Sequence, residues 1–245
     1  MNSIRNSTLA IMIYEWLVAS RKVSYSSFGE DLVLEGILMR YKFITGESLK
    51  LSYIDIGGWK PKTGSNTFKL YKRGARGTIV EPNPYLRPLW NKFRPKDLFL
   101  AVGCSNNKFE KLRLFETSSP SNTIDEKFSL DVSESQEIEI SQVIDIECKT
   151  LQEVVEIHKR IFNSDFILDL DIEGKDWEVL SKYDLNTSSR PTIILVEDTN
   201  SNQGRGRDIM TYLKSAEYLL AGRTIITSIY IDLKHPISVI KDYLS

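Results

Sequence analysis

"YIDIGGWKPKTGSNT", residues 53–67, decides the fold. An apolar strand passes Asp55 and turns at Gly57-Gly58, as a cofactor loop does between strand and helix in α/β proteins. The chain then runs through Trp59, Lys60, Pro61 and Lys62 before it reaches Ser65-Asn66-Thr67. The loop is not G-x-G-x-x-G, because the next glycine after Gly58 is Gly64. A pyrophosphate on the helix N-terminus is therefore poorly supported, and a nucleoside without phosphates fits better.

Outward from this loop, strands and helices alternate. LSYIDIGG, GTIVEPNP, LFLAVGCS, FILDLDIEG and TIILVED read as strands. The segments starting at Ser26 or Ser27, SNTFKLYKRG, PYLRPLWNKF, TLQEVVEIHKRIF, DWEVLSKYDL and RDIMTYLKSA read as helices. YLLAGRTIITSIYIDL reads as a closing antiparallel hairpin. Alternation of this kind implies a mostly parallel sheet with helices on both faces, and nearly all-apolar strands fit burial on both sides. No linker or repeat interrupts it, so one domain over residues 1–245 is expected. Residues 1–22 are expected to form an amphipathic N-terminal helix, and 109–149 an irregular acidic insert with strands in KLRLFE and EIEISQVIDIEC.

The 245 residues are 41% hydrophobic and 27% charged, with net charge −1. That balance argues against a nucleic-acid binder. Cys104 and Cys148 lack metal spacing and read as structural thiols of a reducing, cytoplasmic setting. The apolar run 8–19 is too short to span a bilayer and lacks the flanks of a signal peptide. Charge is uneven: Trp59–Lys96 holds ten Lys or Arg and one acid, Glu81, whereas Glu110–Glu156 holds twelve acids and four bases. The basic half is either a solvated face or an attractor for an anionic substrate.

Ligands in such folds sit at the carboxyl ends of the strands. Asp55, Glu81, Asp171 and the pair Glu197-Asp198 all close strands there. Glu81 lies 24 residues beyond Gly57, near the spacing of a ribose-binding acid. An acid plus a short glycine turn suits S-adenosylmethionine. Together YSSFGEDLVL, DIGGWKPKTGSNTFKLYKRGARGTIVEPNP, FRPKDLFLAVG, DLDIEGKDWEVL and RPTIILVE resemble, in order and spacing, the FkbM family of S-adenosylmethionine-dependent methyltransferases from about Tyr25 to Asp198.

The resemblance implies a class I Rossmann-like methyltransferase fold that O-methylates small molecules, or sugars in polysaccharide and glycan biosynthesis. It implies that Asp55, Gly57 and Gly58 line the methionine part of the cofactor and that Ser65, Asn66 and Thr67 open the next helix beside it. Glu81 would hold the ribose with Asn83 in the same turn, and Val102 and Gly103 would lie near the adenine. Glu30 and Asp31 match the family's Gly-Glu-Asp, without a role that the residues reveal. The chain departs from the family at Gly58, usually alanine, at Trp59, at Ala75-Arg76 in place of Gly-Trp, and through the insert Glu116–Glu147.

Methyl transfer to a hydroxyl needs an oriented acceptor and a base. Asp171 and Glu173, in Asp-x-Glu-Gly, are the catalytic candidates; the plain alternative is backbone hydrogen bonding and helix capping. Asp169 shares a strand face with Asp171. Asp171, Glu197 and Asp198 are candidate Mg²⁺ ligands, or carboxylates filling a wet cleft. His158 and His235 read as surface or satisfied core histidines, and NSNQGRGRD (200–208) as a lid toward an anionic acceptor or an ordinary loop. The acceptor is expected to be a small molecule or glycan, nucleotide- or phosphate-linked in one version. Homo-oligomerisation stays open. The rivals are an NAD-dependent oxidoreductase and a non-catalytic glycan- or partner-binding module.

Overall fold

The structure is a computed structural model that describes residues 22–107, 111–117, 140–172, 174–197 and 206–244. The expected N-terminal helix, the centre of the acidic insert, Glu173, Asp198 and most of the 200–208 loop lie outside the described residues.

The main sheet has seven strands: β1 (Ser52–Ile56), β2 (Gly77–Val80), β3 (Leu98–Leu100), β7 (Phe166–Leu170), β8 (Ile193–Glu197), β9 (Tyr218–Arg223) and β10 (Thr227–Asp232). Their order is β3-β2-β1-β7-β8-β10-β9. The first five run parallel, and β10 is antiparallel to both β8 and β9. The expected mostly parallel sheet with a C-terminal hairpin is present. In it β10 is the strand inserted against the edge of β8, and β9 becomes the edge.

The strands β1, β2 and β7 are buried along their whole length because the sheet is covered on both faces. Successive strand residues alternate between faces. On one face Ile54, Ile56, Phe166, Leu168 and Leu170 meet Val154 and Val155 of α4 (Leu151–Phe162), Leu180 of α5 (Asp176–Leu180) and Ile209 and Leu213 of α6 (Gly206–Ser215). On the other, Tyr53, Ile79, Ile167 and Ile193 meet Leu34, Ile37 and Tyr41 of α1 (Glu30–Thr45), Leu70 of α2 (Phe68–Lys72), Trp90 of α3 (Arg87–Phe93) and Ile237 and Ile240 of the terminal 3₁₀ segment. Asp55 and Asp169 alternate onto this second face.

Local signals account for the helix ends. Gly46 stops α1 at φ 77, its N–H bonded to the Lys42 carbonyl at 2.8 Å. Ser26 Oγ accepts from the Asp31 N–H at 3.2 Å, near the expected cap, although the helix begins only at Glu30. Thr150 and Glu153 form a capping box on α4.

LFLAVGCS departs from the expected single strand. It breaks after Leu100, and β4 (Gly103–Cys104) leaves to pair in parallel with β6 (Ile140–Lys149), which pairs antiparallel with β5 (Lys111–Thr117). At Ala101-Val102 the chain passes from the main sheet to this second, three-stranded one. Cys104 and Cys148 are buried free thiols, as expected, and burial pushes the Cys104 thiol up to about 12. No helix among the described residues is long and apolar enough to cross a membrane.

Candidate functional site

Strands β1 and β7 are neighbours from which the chain proceeds in opposite directions across the sheet, to β2 on one side and β8 on the other. This switch point is where an open α/β sheet binds its ligand. Asp55 and Asp169 stand directly opposite each other there. The turn leaving β1 presses on the end of β7. Gly57 has φ 87, and a Cβ on it would lie 1.8 Å from the Asp171 carbonyl oxygen, so only glycine fits. A Cβ on Gly58 would lie 2.6 Å from Ile79 Cγ2 and 3.2 Å from Trp90 Cζ2. Ile79 thus occupies the space that an alanine at 58 would need, with Trp90 crowding it from beside.

Glu81 follows β2 and is only 6% exposed. Its Oε1 accepts from the Asn83 N–H at 2.8 Å and its Oε2 from the Trp59 N–H at 2.9 Å. Two backbone donors therefore fix the carboxylate, and each oxygen keeps a further lone pair. Burial pushes its pKa up to about 7, against the pull of those two N–H groups. Asn83 turns its own side chain away to cap the next turn, its Oδ1 accepting from Tyr85 N–H at 3.0 Å.

Beneath the loop lies a network that the sequence reading missed. The Arg94 side chain is fully buried. Its Nε donates to Asp97 Oδ2 at 2.6 Å, Nη1 to Ser65 Oγ at 3.2 Å and Nη2 to Thr67 Oγ1 at 3.0 Å. Asp97 also accepts from the Tyr53 hydroxyl at 2.8 and 2.7 Å and from Gly77 N–H at 3.0 Å. Thr67 Oγ1 in turn donates to Asp55. The Ser65 and Thr67 hydroxyls are thereby turned to the protein interior, while Asn66 Nδ2 reaches Asp169 Oδ1 at 3.1 Å.

Burial raises both Asp55 and Asp169 above the usual carboxylate range. Asp55 has the Arg94 guanidinium as counter-charge. Asp169 has only the Asn66 amide to offset burial and the neighbouring Asp55, Asp171 and Glu30, so it holds a proton more strongly. A carboxylate inside an otherwise apolar strand, Phe-Ile-Leu-Asp-Leu, is the signal that marks it.

Glu30 and Asp31 now have a structural account. Asp31 accepts from Ser24 Oγ at 2.6 Å, Ser26 Oγ at 3.0 Å and Tyr25 N–H at 2.9 Å. Glu30 accepts from Phe28 N–H at 2.9 Å and from the Thr224 hydroxyl at 2.7 Å. Together they fold residues 24–29 over the loop, where the Tyr25 carbonyl takes the Ser65 N–H at 3.1 Å.

The other candidates divide. Asp171 is exposed just past β7, its N–H bonded to the Ile56 carbonyl at 3.0 Å. Val102 and Gly103 sit where the chain leaves β3, with Val102 packed on the core. Glu197 ends β8, half-buried, and Glu173 and Asp198 lie outside the described residues. Among the described residues no group of three or more His, Cys, Asp or Glu side chains is placed to hold a metal ion. His158 is a satisfied core histidine at the opposite end of the sheet, between Ser52 Oγ at 2.8 Å and Thr78 Oγ1 at 3.0 Å. His235 caps the 3₁₀ segment, its Nδ1 accepting from Ile237 N–H at 3.1 Å.

No curated protein and no solved structure matches the chain. The model of the methyltransferase FkbM domain matches residues 55–220, from the aspartate of the first loop to the edge strand. With the sheet order and the acids at its switch point, that match over more than half its length means that the chain belongs to the FkbM methyltransferase family.

Proposed function

We propose that this protein is an S-adenosylmethionine-dependent O-methyltransferase that methylates a sugar hydroxyl in polysaccharide or glycan biosynthesis. The observation that carries the cofactor assignment is Glu81. Its carboxylate closes the second strand of the sheet and is held by two backbone N–H groups, a fixed acceptor suited to a pair of ribose hydroxyls. The surroundings suit a nucleoside carrying a cation: Asp171 is an exposed acid past the seventh strand, and the loop does not offer a pyrophosphate cradle.

S-adenosylmethionine, when bound, supplies an electrophilic methyl group on a sulfonium centre. The chain must bring the acceptor hydroxyl into line and take its proton. In this reading Asp171 takes that proton, supported by its exposure and by its backbone lying against Gly57 at the switch point. Asp55, Gly57 and Gly58 line the methionine end in this reading, Asn83 steadies Glu81 through its N–H, and Val102 and Gly103 border the adenine. Ser65 and Thr67 act one layer below, through Arg94 and Asp55.

Calorimetry of the full chain with S-adenosylmethionine, its demethylated product and NAD tests the assignment. Binding of the first two, weakened at least tenfold in Glu81→Gln, supports it. Binding of NAD alone overturns it. Product release from a panel of sugars, with and without a chelator, reads catalysis and any Mg²⁺ requirement separately.

A further inference from the structure

Trp59, at φ 35, is one of two non-glycine residues among the described residues with φ in the left-handed region beyond about +20°. A tryptophan adopts that backbone only when its surroundings hold it there, and such outliers gather at ligand sites. The hold is visible: its N–H binds Glu81, and its carbonyl accepts from the buried Trp90 indole N–H at 3.0 Å. Both backbone groups are spent, yet the residue stays 47% exposed. The structure thus fixes an indole at the rim of the switch point and leaves it in water.

A Cβ on Gly64 would lie 4.0 Å from Trp59 Cε3 and Cζ3 and 3.6 Å from Ser27 Oγ. The ring therefore lies along the loop, close to Gly64 and residues 24–29. Lys60 Nζ lies 3.7 Å from its ring centre, and Lys62 Nζ lies 3.6 Å from that of Phe93. Among the described residues neither ammonium meets a carboxylate, unlike Lys69 and Arg73, which share Glu35. An aromatic face takes the apolar side of a sugar ring, and adjacent ammonium groups take an anion.

We propose that Trp59, Lys60 and Lys62 form the acceptor subsite, which receives a saccharide bearing an anionic group, the ring on the indole and the charge on the lysines. This rests on the methyltransferase reading, and it adds the charge class of the acceptor.

The test uses the ¹⁵N-labelled full chain and the Trp59 indole N–H signal, assigned by its loss in Trp59→Gly. Glycine relieves the positive φ and keeps the N–H that binds Glu81, so this variant folds. Glucose 1-phosphate, methyl glucoside and inorganic phosphate are titrated, each with and without S-adenosylmethionine. Glucose 1-phosphate is expected to move the Trp59 signal saturably, at roughly tenfold lower concentration than methyl glucoside. Lys60→Gln with Lys62→Gln is expected to bring the two sugars to parity. In Trp59→Gly, read instead at the backbone amides of Lys60 and Lys62, the response to the sugar phosphate is expected to be lost while the affinity for S-adenosylmethionine stays within about threefold.

Three results overturn the proposal: a Trp59 signal unmoved across the soluble range of glucose 1-phosphate, an equal response to inorganic phosphate, or a Trp59 signal moved by S-adenosylmethionine in competition with the sugar. Absence of S-adenosylmethionine binding is a different failure. It removes the methyltransferase reading and is read without any sugar present.

Discussion

Arg94→Met cuts the network under the Ser65-Asn66-Thr67 turn at its centre. Methionine keeps most of the apolar stem but loses the guanidinium that lies over the rings of Tyr53, Trp90 and Tyr71. What is lost is the charge. Asp97, whose side chain is 1% exposed, then keeps only the neutral donors of Tyr53 and Gly77. Leaving such a buried charge uncompensated costs about 3–5 kcal/mol. For a chain of this size that is a fall in Tm of roughly 6–20 °C. Asp97→Asn in the same background removes the stranded charge, so the double variant should lose about 1–3 kcal/mol less than the sum of the singles. Urea unfolding followed by circular dichroism measures all four proteins. A cost below about 1 kcal/mol for Arg94→Met, or strict additivity of the pair, refutes the account of Arg94 as counter-charge.

Glu81 and His158 should make opposite contributions to stability against pH. The folded Glu81 carboxyl titrates at about 7 against 4.5 when exposed, so its contribution is whole below 4.5 and is lost as pH rises through 7, about 3 kcal/mol. Glu81→Gln should therefore gain on the unaltered protein across that window in pH-stepped urea titrations; a constant difference contradicts it. Burial lowers His158 to about 4 from 6.5, so its contribution is present above 6.5 and is lost as pH falls toward 4. His158→Gln should flatten that acid limb, and an unchanged limb counts against a neutral imidazole. Gly74→Ala, at φ 100 in open space, should cost about 1 kcal/mol. Gly57→Ala, at φ 87 and against the Asp171 carbonyl, should cost several times more; equal melting shifts would refute the close approach of β1 and β7.

The main sheet was legible because five apolar runs end in acids or glycine, and burial on both faces demands just such runs. The candidate site was legible where chemistry sits on one short segment: Asp55 to Gly58, and Glu81 after its strand. The rest depends on distant partners. Arg94 reads as one more base in a basic stretch, and only packing shows it fully buried against Asp97. Ser65 and Thr67 carry the family pattern, but their hydroxyls face Arg94 because α3 folds back beneath the loop. Glu30 gained its role from Thr224, 194 residues away. The split of LFLAVGCS into β3 and β4 follows from pairing with β6, some 45 residues later, which no local pattern encodes.

The placement of β10 between β8 and β9 bears on how the chain is made. β9 is synthesised first, but its ladder partner is β10. Until residue 232 has left the ribosome, β8 keeps a bare edge and β9 has no strand to pair with. A nascent chain halted between the two strands should therefore be the species that chaperones hold and proteases cut, since unpaired edges are adhesive. β10 seals this side of the sheet, so productive docking of β8 and β9 awaits its emergence.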